Sequence, residues 1–402
     1  MQGNGIGRRT AIIIGAGRIG RGFVAEIFND AGYHITFVDI DRKLVDDLNE
    51  HKKYNIIKCN RESTHRVSIQ DFDALHTSQE GEISELLSRP DAIVGVAVHA
   101  HSIPEVAQTL ALGIARRAME FPDSPLDIIM CVNTVNPAKQ MRTSLEYVLG
   151  GSALDFLEEK VGLIDTVVPR MATDPPQEML KYEPLATMNN GFPYMVADET
   201  AFKSVIPQSS ILQMTRQIHA VEVRKIYTAN MCHATLAYLG AAKNYYYSVD
   251  AIRDPEIKKV IDGVIEESSF GLCNEFGFDE KEMKEWCFSV VDMLDNPMLK
   301  DTLERLGSDT ARKLAVGDRL VGPAMLCLKA GRYPENLVNA IAHGYLFNLS
   351  EDPGTEKVLD TVKKRGIVSA IEILSGIDIK HPLQSGVLEA YYTAKDKLEE
   401  IL

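Results

Sequence analysis

The chain has 402 residues, of which 45% are hydrophobic and 25% are charged, and its formal net charge is −14. This composition excludes a disordered, collagen-like or disulfide-scaffold chain, and the acidic balance lacks the global basic footprint of a nucleic-acid-binding protein. The length exceeds that of one typical domain, so we expect two domains.

We expect neither a targeting signal nor a metal site from the sequence. The six cysteines are scattered, and His99-x-His101 has no third ligand at a convincing spacing, so no metal site is predicted. The polar N-terminus is unlike a signal peptide, and no apolar run approaches the roughly 18 residues of a membrane span. We therefore expect a cytoplasmic chain with reduced thiols, which binds neither membranes nor nucleic acid. Its oligomeric state is left open.

The first half of the chain alternates strand-like and helix-like segments. Short β-branched and apolar runs are typical of strands that are buried on both faces of a parallel sheet. Helical patterns between them predict βαβ units. The predicted strands are 10–14, 33–38, 91–98, 127–132 and 161–168, with helices ending near residue 30 and covering 104–120.

Helical periodicity dominates from about residue 205 onward. Turn signals separate the helical segments. The sequence thus predicts a Rossmann-type parallel-sheet domain over 1–204, followed by an all-α domain over 205–402. The predicted helices of the second domain are 218–240, 255–276, 281–294, 299–306, 322–330, 334–347 and 355–365.

A glycine-rich loop follows the first predicted strand. Gly15-x-Gly17-x-x-Gly20 opens a helix within a βαβ unit, which is the context that a dinucleotide-binding loop requires. Asp39 ends the next strand, where a carboxylate accepts hydrogen bonds from a ribose diol and repels a 2′-phosphate. NAD is therefore favoured over NADP, although Arg42 keeps dual use open. A loop without a ligand is the alternative.

A second polar group falls on the helix predicted over 218–240. With 100° per residue, Lys225, Asn230 and His233 share one side of that helix. A partly buried lysine is a suitable base for removing the hydroxyl proton of an alcohol as hydride leaves, and an amide stabilises the developing alkoxide. The alternative is a solvated lysine, a buried histidine and a capping asparagine. Asn133, just past a strand end, is a candidate contact for nicotinamide, or a turn-forming residue.

These blocks resemble the polyol-specific long-chain dehydrogenases over most of the chain. Residues 15–23 (GAGRIGRGF) are similar to the opening of the family, and Lys225-x4-Asn230-x2-His233-Ala234 is similar to its signature helix. The resemblance implies that Lys225 is the catalytic base, and that Asn230 and His233 contact the substrate. It also implies that the glycine loop, Ala16 and Ile19 included, holds the cofactor.

The resemblance also nominates cations for substrate binding. A family Arg and Lys eight residues apart face the substrate, and Arg305 and Lys313 have this spacing. Arg312 and Arg319 could add charge, or could form ordinary surface ion pairs.

The expected reaction is hydride transfer between NAD(H) and a polyol–ketose pair. A phosphorylated pair, such as mannitol 1-phosphate and fructose 6-phosphate, is the first expectation. The alternatives are an unphosphorylated polyol, a hexuronate such as tagaturonate, or a regulator that binds NAD without catalysis.

Overall fold

A computed structural model describes residues 9–60, 63–134, 136–297 and 301–401. The chain divides into two compact units, Met1–Val221 and Glu222–Leu402. Residue 204, the predicted boundary, lies in a segment without helix or strand in the first unit. The division into 1–204 and 205–402 stays a prediction.

Twelve strands occur among the described residues, all of them in the first unit. They are β1 Thr10–Ile14, β2 His34–Asp39, β3 Lys53–Cys59, β4 Thr64–Gln70, β5 Asp73–His76, β6 Ala92–Val96, β7 Leu126–Met130, β8 Val161–Val167, β9 Ala172–Thr173, β10 Thr187–Asn189, β11 Met195–Asp198 and β12 Leu212–Thr215.

An eight-stranded sheet forms the centre of this unit, in the order β12-β11-β8-β7-β6-β1-β2-β5. The six strands from β8 to β5 are parallel, and β11 is antiparallel to β8. Their order matches the Rossmann arrangement, with the chain crossing over beside β1. Every residue of β1 is buried, because apolar clusters cover both faces of the sheet. The predicted parallel sheet is confirmed.

A second, four-stranded sheet in the order β4-β3-β10-β9 was not predicted. Strands β3 and β4 form an antiparallel pair, and most residues of β4 are exposed. The other edge of β3 pairs in parallel with β10, which lies more than a hundred residues later in the chain. The first unit also contains seven α-helices among its described residues. They are α1 Ala25–Asp30, which continues a π-helical turn over Gly20–Val24, then α2 Arg42–His51, α3 Glu80–Ser88, α4 Ile103–Glu120, α5 Pro137–Val148, α6 Ser152–Lys160 and α7 Gln177–Leu180.

The second unit is helical, as predicted, but strand β12 (Leu212–Thr215) lies inside the range 205–402 that was predicted to be all-α. The described residues of the second unit contain no strand, and a single isolated bridge joins Tyr247 to Thr302. Helix α8 spans the boundary between the units. The helices are α8 Ile218–Lys225, a π-helical turn Ile226–Asn230, α9 Met231–Ala242, α10 Ser248–Ala251, α11 Pro255–Phe276, α12 Glu280–Leu294, α13 Leu303–Gly307, α14 Thr310–Lys313, α15 Val321–Lys329, α16 Glu335–Gly344, α17 Pro353–Ser375 and α18 Gln384–Ile401.

Several helices of this unit differ from the prediction. The helix predicted over 218–240 contains the π-helical turn. Helix α17 runs past the predicted residue 365 through a kink at Gly366, where φ is 77°. Helix α18 was not predicted, and residues 299 and 300 of the predicted helix 299–306 lie outside the described residues. None of the helices in the described ranges is long and apolar enough to cross a bilayer.

Candidate active site

The glycine loop joins β1 to the π-helical turn that precedes α1. Gly15 has a φ of 94°, and its N–H donates to the carbonyl oxygen of Val38 at 2.8 Å. A Cβ on Gly15 would collide with the carbonyl oxygen of Ala97, and a Cβ on Gly20 would collide with that of Gly15. A Cβ on Gly17 would meet open space. Gly15 and Gly20 are therefore required by the fold, whereas Gly17 leaves room above the loop.

Asp39 lies beside this loop at the end of β2. Its Oδ2 accepts the N–H of Ala16 at 2.6 Å, and its Oδ1 accepts the N–H of Asp41 at 2.9 Å. Each carboxylate oxygen has a second lone pair, so both can accept a further hydrogen bond. Arg42 is directed to His76, with 3.3 Å between Nη2 and Nδ1. The end of β2 thus holds a carboxylate in a fixed position beside the glycine loop.

Arg21 braces the loop, a role that the residue pattern alone did not indicate. Its Nε donates to the carbonyl oxygen of Ala16 at 2.6 Å, and its Nη1 donates to that of Leu185 at 2.7 Å. The hydroxyl of Tyr54 on β3 donates to the carbonyl oxygen of Arg21 at 2.8 Å. Burial lowers the pKa of Arg21. The segment before β10 and the second sheet therefore hold the glycine loop in place.

The two other predicted cofactor contacts lie near this region. Ile19 is partly buried and packs against one of the two apolar clusters of the sheet. Asn133 is exposed in the bend after β7. Because β1 and β7 are parallel, Asn133 and the glycine loop follow strand ends at the same edge of the sheet, where α/β folds bind ligands.

The signature helix is irregular between Lys225 and Asn230. The turn Ile226–Asn230 is π-helical, and an i→i+5 turn brings residues five positions apart to the same side. The predicted angle at 100° per residue therefore does not apply to this pair. Asn230 makes no capping hydrogen bond with its side chain. His233 follows in α9, three residues further along.

Side chains from distant helices stabilise the π-helical turn. Thr228 donates to the carbonyl oxygen of Arg224 at 2.6 Å and accepts the indole N–H of Trp286 at 2.7 Å. Ser268 donates to the carbonyl oxygen of Tyr227. These hydrogen bonds supply partners that a regular α-helical turn would find within itself.

The side chains of Lys225, Asn230 and His233 are partly buried. None of them forms a side-chain hydrogen bond or an ion pair within the described part of the helical unit. Burial lowers the pKa of Lys225 to about 8, with Arg319 adding to the effect and Glu222 opposing it. Burial also lowers the pKa of His233 to about 4, despite the carboxylate of Asp301. At neutral pH the imidazole is neutral, and a fraction of the amine is unprotonated.

The cations nominated for substrate binding are engaged to different degrees. Lys313 is buried, its Nζ donates to the carbonyl oxygen of Leu306 at 2.6 Å, and burial lowers its pKa to about 7. Arg305 is exposed and forms a bidentate ion pair with Asp301. Arg312 pairs with Asp309. No group of three or more His, Cys, Asp or Glu that could hold a metal occurs in residues 9–60, 63–134, 136–297 and 301–401.

Family models match nearly the whole chain. The model described as the mannitol dehydrogenase Rossmann domain covers residues 9–210, and that of the mannitol dehydrogenase C-terminal domain covers residues 217–395. The chain belongs to the mannitol dehydrogenase family. The resemblance to polyol dehydrogenases is thereby confirmed.

Two solved structures share the fold of this mannitol dehydrogenase family member. A D-sorbitol dehydrogenase in substrate-free form has a TM-score of 0.81 at 15% identity, covering 97% of this chain and 94% of that chain. The mannitol 2-dehydrogenase of Pseudomonas fluorescens, in a ternary complex with NAD and D-mannitol, has a TM-score of 0.73 at 17% identity, covering 98% and 94%.

The glycine loop of this mannitol dehydrogenase family member fits a dinucleotide. Open space at Gly17 lets the backbone approach a pyrophosphate, and the loop leads directly into a helix. Asp39 supplies fixed acceptors for a ribose diol. The glycine loop and Asp39 therefore suit the pyrophosphate and the ribose of a dinucleotide.

Proposed function

We propose that this chain is an NAD(H)-dependent oxidoreductase that interconverts a polyol and its ketose, with Lys225 as the general base. Mannitol 1-phosphate and fructose 6-phosphate are the first substrate pair to test. One observation carries the proposal: Lys225, Asn230 and His233 are partly buried around one π-helical turn, and their polar side-chain atoms are without partners in the described helical unit. A merely structural cluster would pair its own polar groups.

The chemistry divides among these three side chains. When bound, the nicotinamide accepts a hydride from the alcohol carbon or returns it to the ketone. The neutral amine of Lys225 removes the hydroxyl proton during oxidation, and the ammonium returns it during reduction. The amide NH2 of Asn230 donates to the oxygen as negative charge develops there. His233, which is neutral at pH 7, holds a neighbouring hydroxyl of the substrate.

Asp39 supports NAD as the cofactor. Its two oxygens accept backbone N–H groups and keep lone pairs for a ribose diol. A 2′-phosphate beside this carboxylate would be repelled. We keep Gly15, Ala16, Gly17, Ile19, Gly20 and Asn133 as the remaining predicted cofactor contacts.

A phosphorylated substrate is supported by a cluster of cations. The charges of Arg305, Lys313 and Arg319 act on His233, and that of Arg312 acts on Lys313, although the whole chain has a net charge of −14. Carboxylates pair with the three arginines, and the N–H donors that these pairs leave over can bind an anionic substrate. Arg305, Lys313 and Arg312 stay the predicted substrate contacts.

A substrate panel tests the proposed function. The purified chain is assayed for oxidation of NADH and NADPH with ketose phosphates, free ketoses and hexuronates. We expect the highest kcat/KM with NADH and fructose 6-phosphate. Turnover of hexuronates alone would replace the polyol assignment. Binding of NADH without turnover of any of these substrates would favour a regulator.

A further inference from the structure

The arginines Arg305, Arg312 and Arg319 differ in how many hydrogen-bond donors they have left. Arg305 places both Nε and Nη2 on the carboxylate of Asp301, and it is mostly exposed. The Nε of Arg312 is bound to Asp309, and its Nη1 lies 3.6 Å from Asp318. Both guanidinium groups are exposed, and in each of them more than one nitrogen lies within ion-pair distance of a carboxylate.

Arg319 is arranged differently. Its Nε donates to Oδ1 of Asp318 at 2.8 Å, while neither Nη1 nor Nη2 has a hydrogen-bond partner in the part of the chain that the structure describes. The side chain is only 13% exposed, yet these two nitrogens are not sealed from solvent. A half-buried arginine therefore presents an unused pair of terminal NH2 groups.

The loop that carries Arg319 is fixed to the signature helix. It connects α14 to α15, and its Gly317 accepts a hydrogen bond from the hydroxyl of Tyr227 at 3.0 Å. Tyr227 belongs to the π-helical turn that follows Lys225. A Cβ on Gly322 would collide with the ring of Tyr227, so the start of α15 also packs closely against this turn. The position of Arg319 is thus coupled to that of the proposed base.

Asp318 fixes the orientation of the guanidinium. Its Oδ1 accepts both the backbone N–H of Arg319, at 2.6 Å, and the Nε of the same residue. With Nε held, the edge formed by Nη1 and Nη2 has a defined direction. Two parallel N–H donors of this kind match two oxygens of a phosphate or carboxylate.

We propose that Arg319 binds the terminal oxyanion of the substrate through Nη1 and Nη2, and so selects anionic over neutral polyols and ketoses. The inference rests on the proposed function, which it extends by naming the residue that recognises the anionic end. A phosphate ester and a sugar carboxylate share the chemistry that this edge recognises. The positive charge of the guanidinium favours the phosphate ester, which carries more negative charge at neutral pH.

The proposal also predicts a coupling to the base. The positive charge of Arg319 helps to lower the pKa of Lys225, and the carboxylate of Glu222 on α8 opposes this effect. An oxyanion bound to Arg319 offsets its positive charge. The amine of Lys225 is therefore more easily protonated once an anionic substrate is bound than in the free chain.

Three variants test the proposal in the full-length chain. Arg319→Met removes the donors, Arg319→Lys keeps the charge without the paired edge, and Arg305→Met tests the competing assignment. Arg332→Met is the control, because Arg332 is also an arginine paired with a carboxylate, Glu266 at 2.9 Å, but is not among the charges that affect Lys225 or His233. Each variant is assayed with fructose 6-phosphate, fructose and a hexuronate.

We expect Arg319→Met to lower kcat/KM for fructose 6-phosphate by roughly 10- to 100-fold, the effect of losing hydrogen bonds to a charged group. The rate with fructose should change by less than about threefold. Arg319→Lys should recover part of the loss. A selective loss with the hexuronate instead would support the oxyanion site and identify its ligand as a carboxylate. Selectivity that is unchanged in Arg319→Met, or lost in Arg305→Met alone, would overturn the proposal.

A binding measurement separates this proposal from the proposed function. Inorganic phosphate is titrated into the wild-type chain and the variants, and the melting temperature is recorded without NADH or ketose. We expect phosphate to stabilise the wild type and Arg332→Met, and not Arg319→Met. This result would support the oxyanion site even if no substrate were turned over, whereas equal stabilisation of all variants would contradict it.

Discussion

Lys225 and Asn230 stand at opposite ends of a single π-helical turn, five residues apart. This spacing brings them to the same side of the helix, while Thr228 between them is buried and accepts the indole N–H of Trp286. The turn separates the polar side chains proposed for chemistry from the side chain that anchors the helix. The proposed base and the proposed oxyanion donor therefore depend on one local irregularity.

Replacing the proposed base should remove turnover without removing cofactor binding. Lys225→Met keeps the length of the side chain and deletes the amine, so we expect kcat to fall by about 10²- to 10⁴-fold. The affinity for NADH, measured by fluorescence titration, should stay within about twofold. Lys329→Met is a suitable control, since Lys329 is an exposed lysine paired with Glu275. A variant with wild-type rates would refute the assignment of the base.

The pH dependence of the two reaction directions should be opposite in sign. The pKa of Lys225 is about 8. Polyol oxidation needs the neutral amine, so its rate should rise as the pH passes through this value. Ketose reduction needs the ammonium, so its rate should fall over the same range. The rate of hydride transfer in both directions is measured by stopped flow from pH 6 to 10, about two pH units on each side of the pKa. Rates that change in the same direction with pH would contradict the proposed role.

Asp39 should determine the preference between the two nicotinamide cofactors. Asp39→Asn keeps the shape of the side chain and removes the charge that repels a 2′-phosphate. We expect kcat/KM to rise about tenfold with NADPH and to fall with NADH, because an amide loses acceptor capacity. Asp123→Asn, on an exposed loop, controls for the change in net charge. An unaltered ratio of the two cofactors would exclude Asp39 from this role.

Two glycines of the loop should respond differently to alanine. Gly20→Ala forces a Cβ against the carbonyl oxygen of Gly15, so we expect a loss of about 1–3 kcal/mol in the free energy of unfolding. Gly17→Ala meets open space and should keep the stability, while it weakens NADH binding by obstructing the pyrophosphate. Denaturant unfolding and NADH titration of both variants distinguish packing from ligand approach. Equal stability of the two variants would contradict the distinction.

Lys313 should make stability depend on pH. Its folded pKa is about 7, below the ordinary lysine value, so the unfolded chain binds more protons between that pH and about 10. Stability therefore rises with pH in this window, and the penalty for burying the amine is largest below pH 7. Lys225, with its pKa lowered to about 8, contributes with the same sign.

The matching measurement compares melting temperatures of the wild type and Lys313→Met across pH 6.5 to 9.5, a range that follows from these pKa values. The variant should show a flatter profile, because it has no amine to deprotonate at this site. It leaves the carbonyl oxygen of Leu306 without its donor, so its absolute stability is not the readout. A slope identical to that of the wild type would refute the assignment.

The sequence predicted those parts of the fold that depend on local patterns. The strand before the glycine loop and the helix Pro255–Phe276 are both set by neighbouring residues, through an apolar run and through the cap of Asp254 on Ile257. The second sheet was missed, because Thr187 of β10 pairs with Ile56 of β3 across more than a hundred residues. Such pairings leave no periodic signal in the sequence.

The same distinction applies to the candidate site. The motif placed Lys225 and His233 on one helix, but the π-helical turn is hydrogen-bonded by Trp286 and Ser268, which are 58 and 41 residues from their partners. The spacing of Arg305 and Lys313 could not show that each is engaged, one by Asp301 and the other by a backbone carbonyl. Charge spacing predicts which cations are near one another, and only geometry shows which donors are left.

Trp286, whose indole binds Thr228, is the only tryptophan of the chain. Its intrinsic emission therefore originates entirely from the helical unit, at the anchor of the signature helix. Tryptophan fluorescence, excited selectively, would therefore follow the melting of the helical unit alone. Circular dichroism would follow the melting of both units together. A difference between the two transition midpoints would show that the halves lose their structure in separate steps.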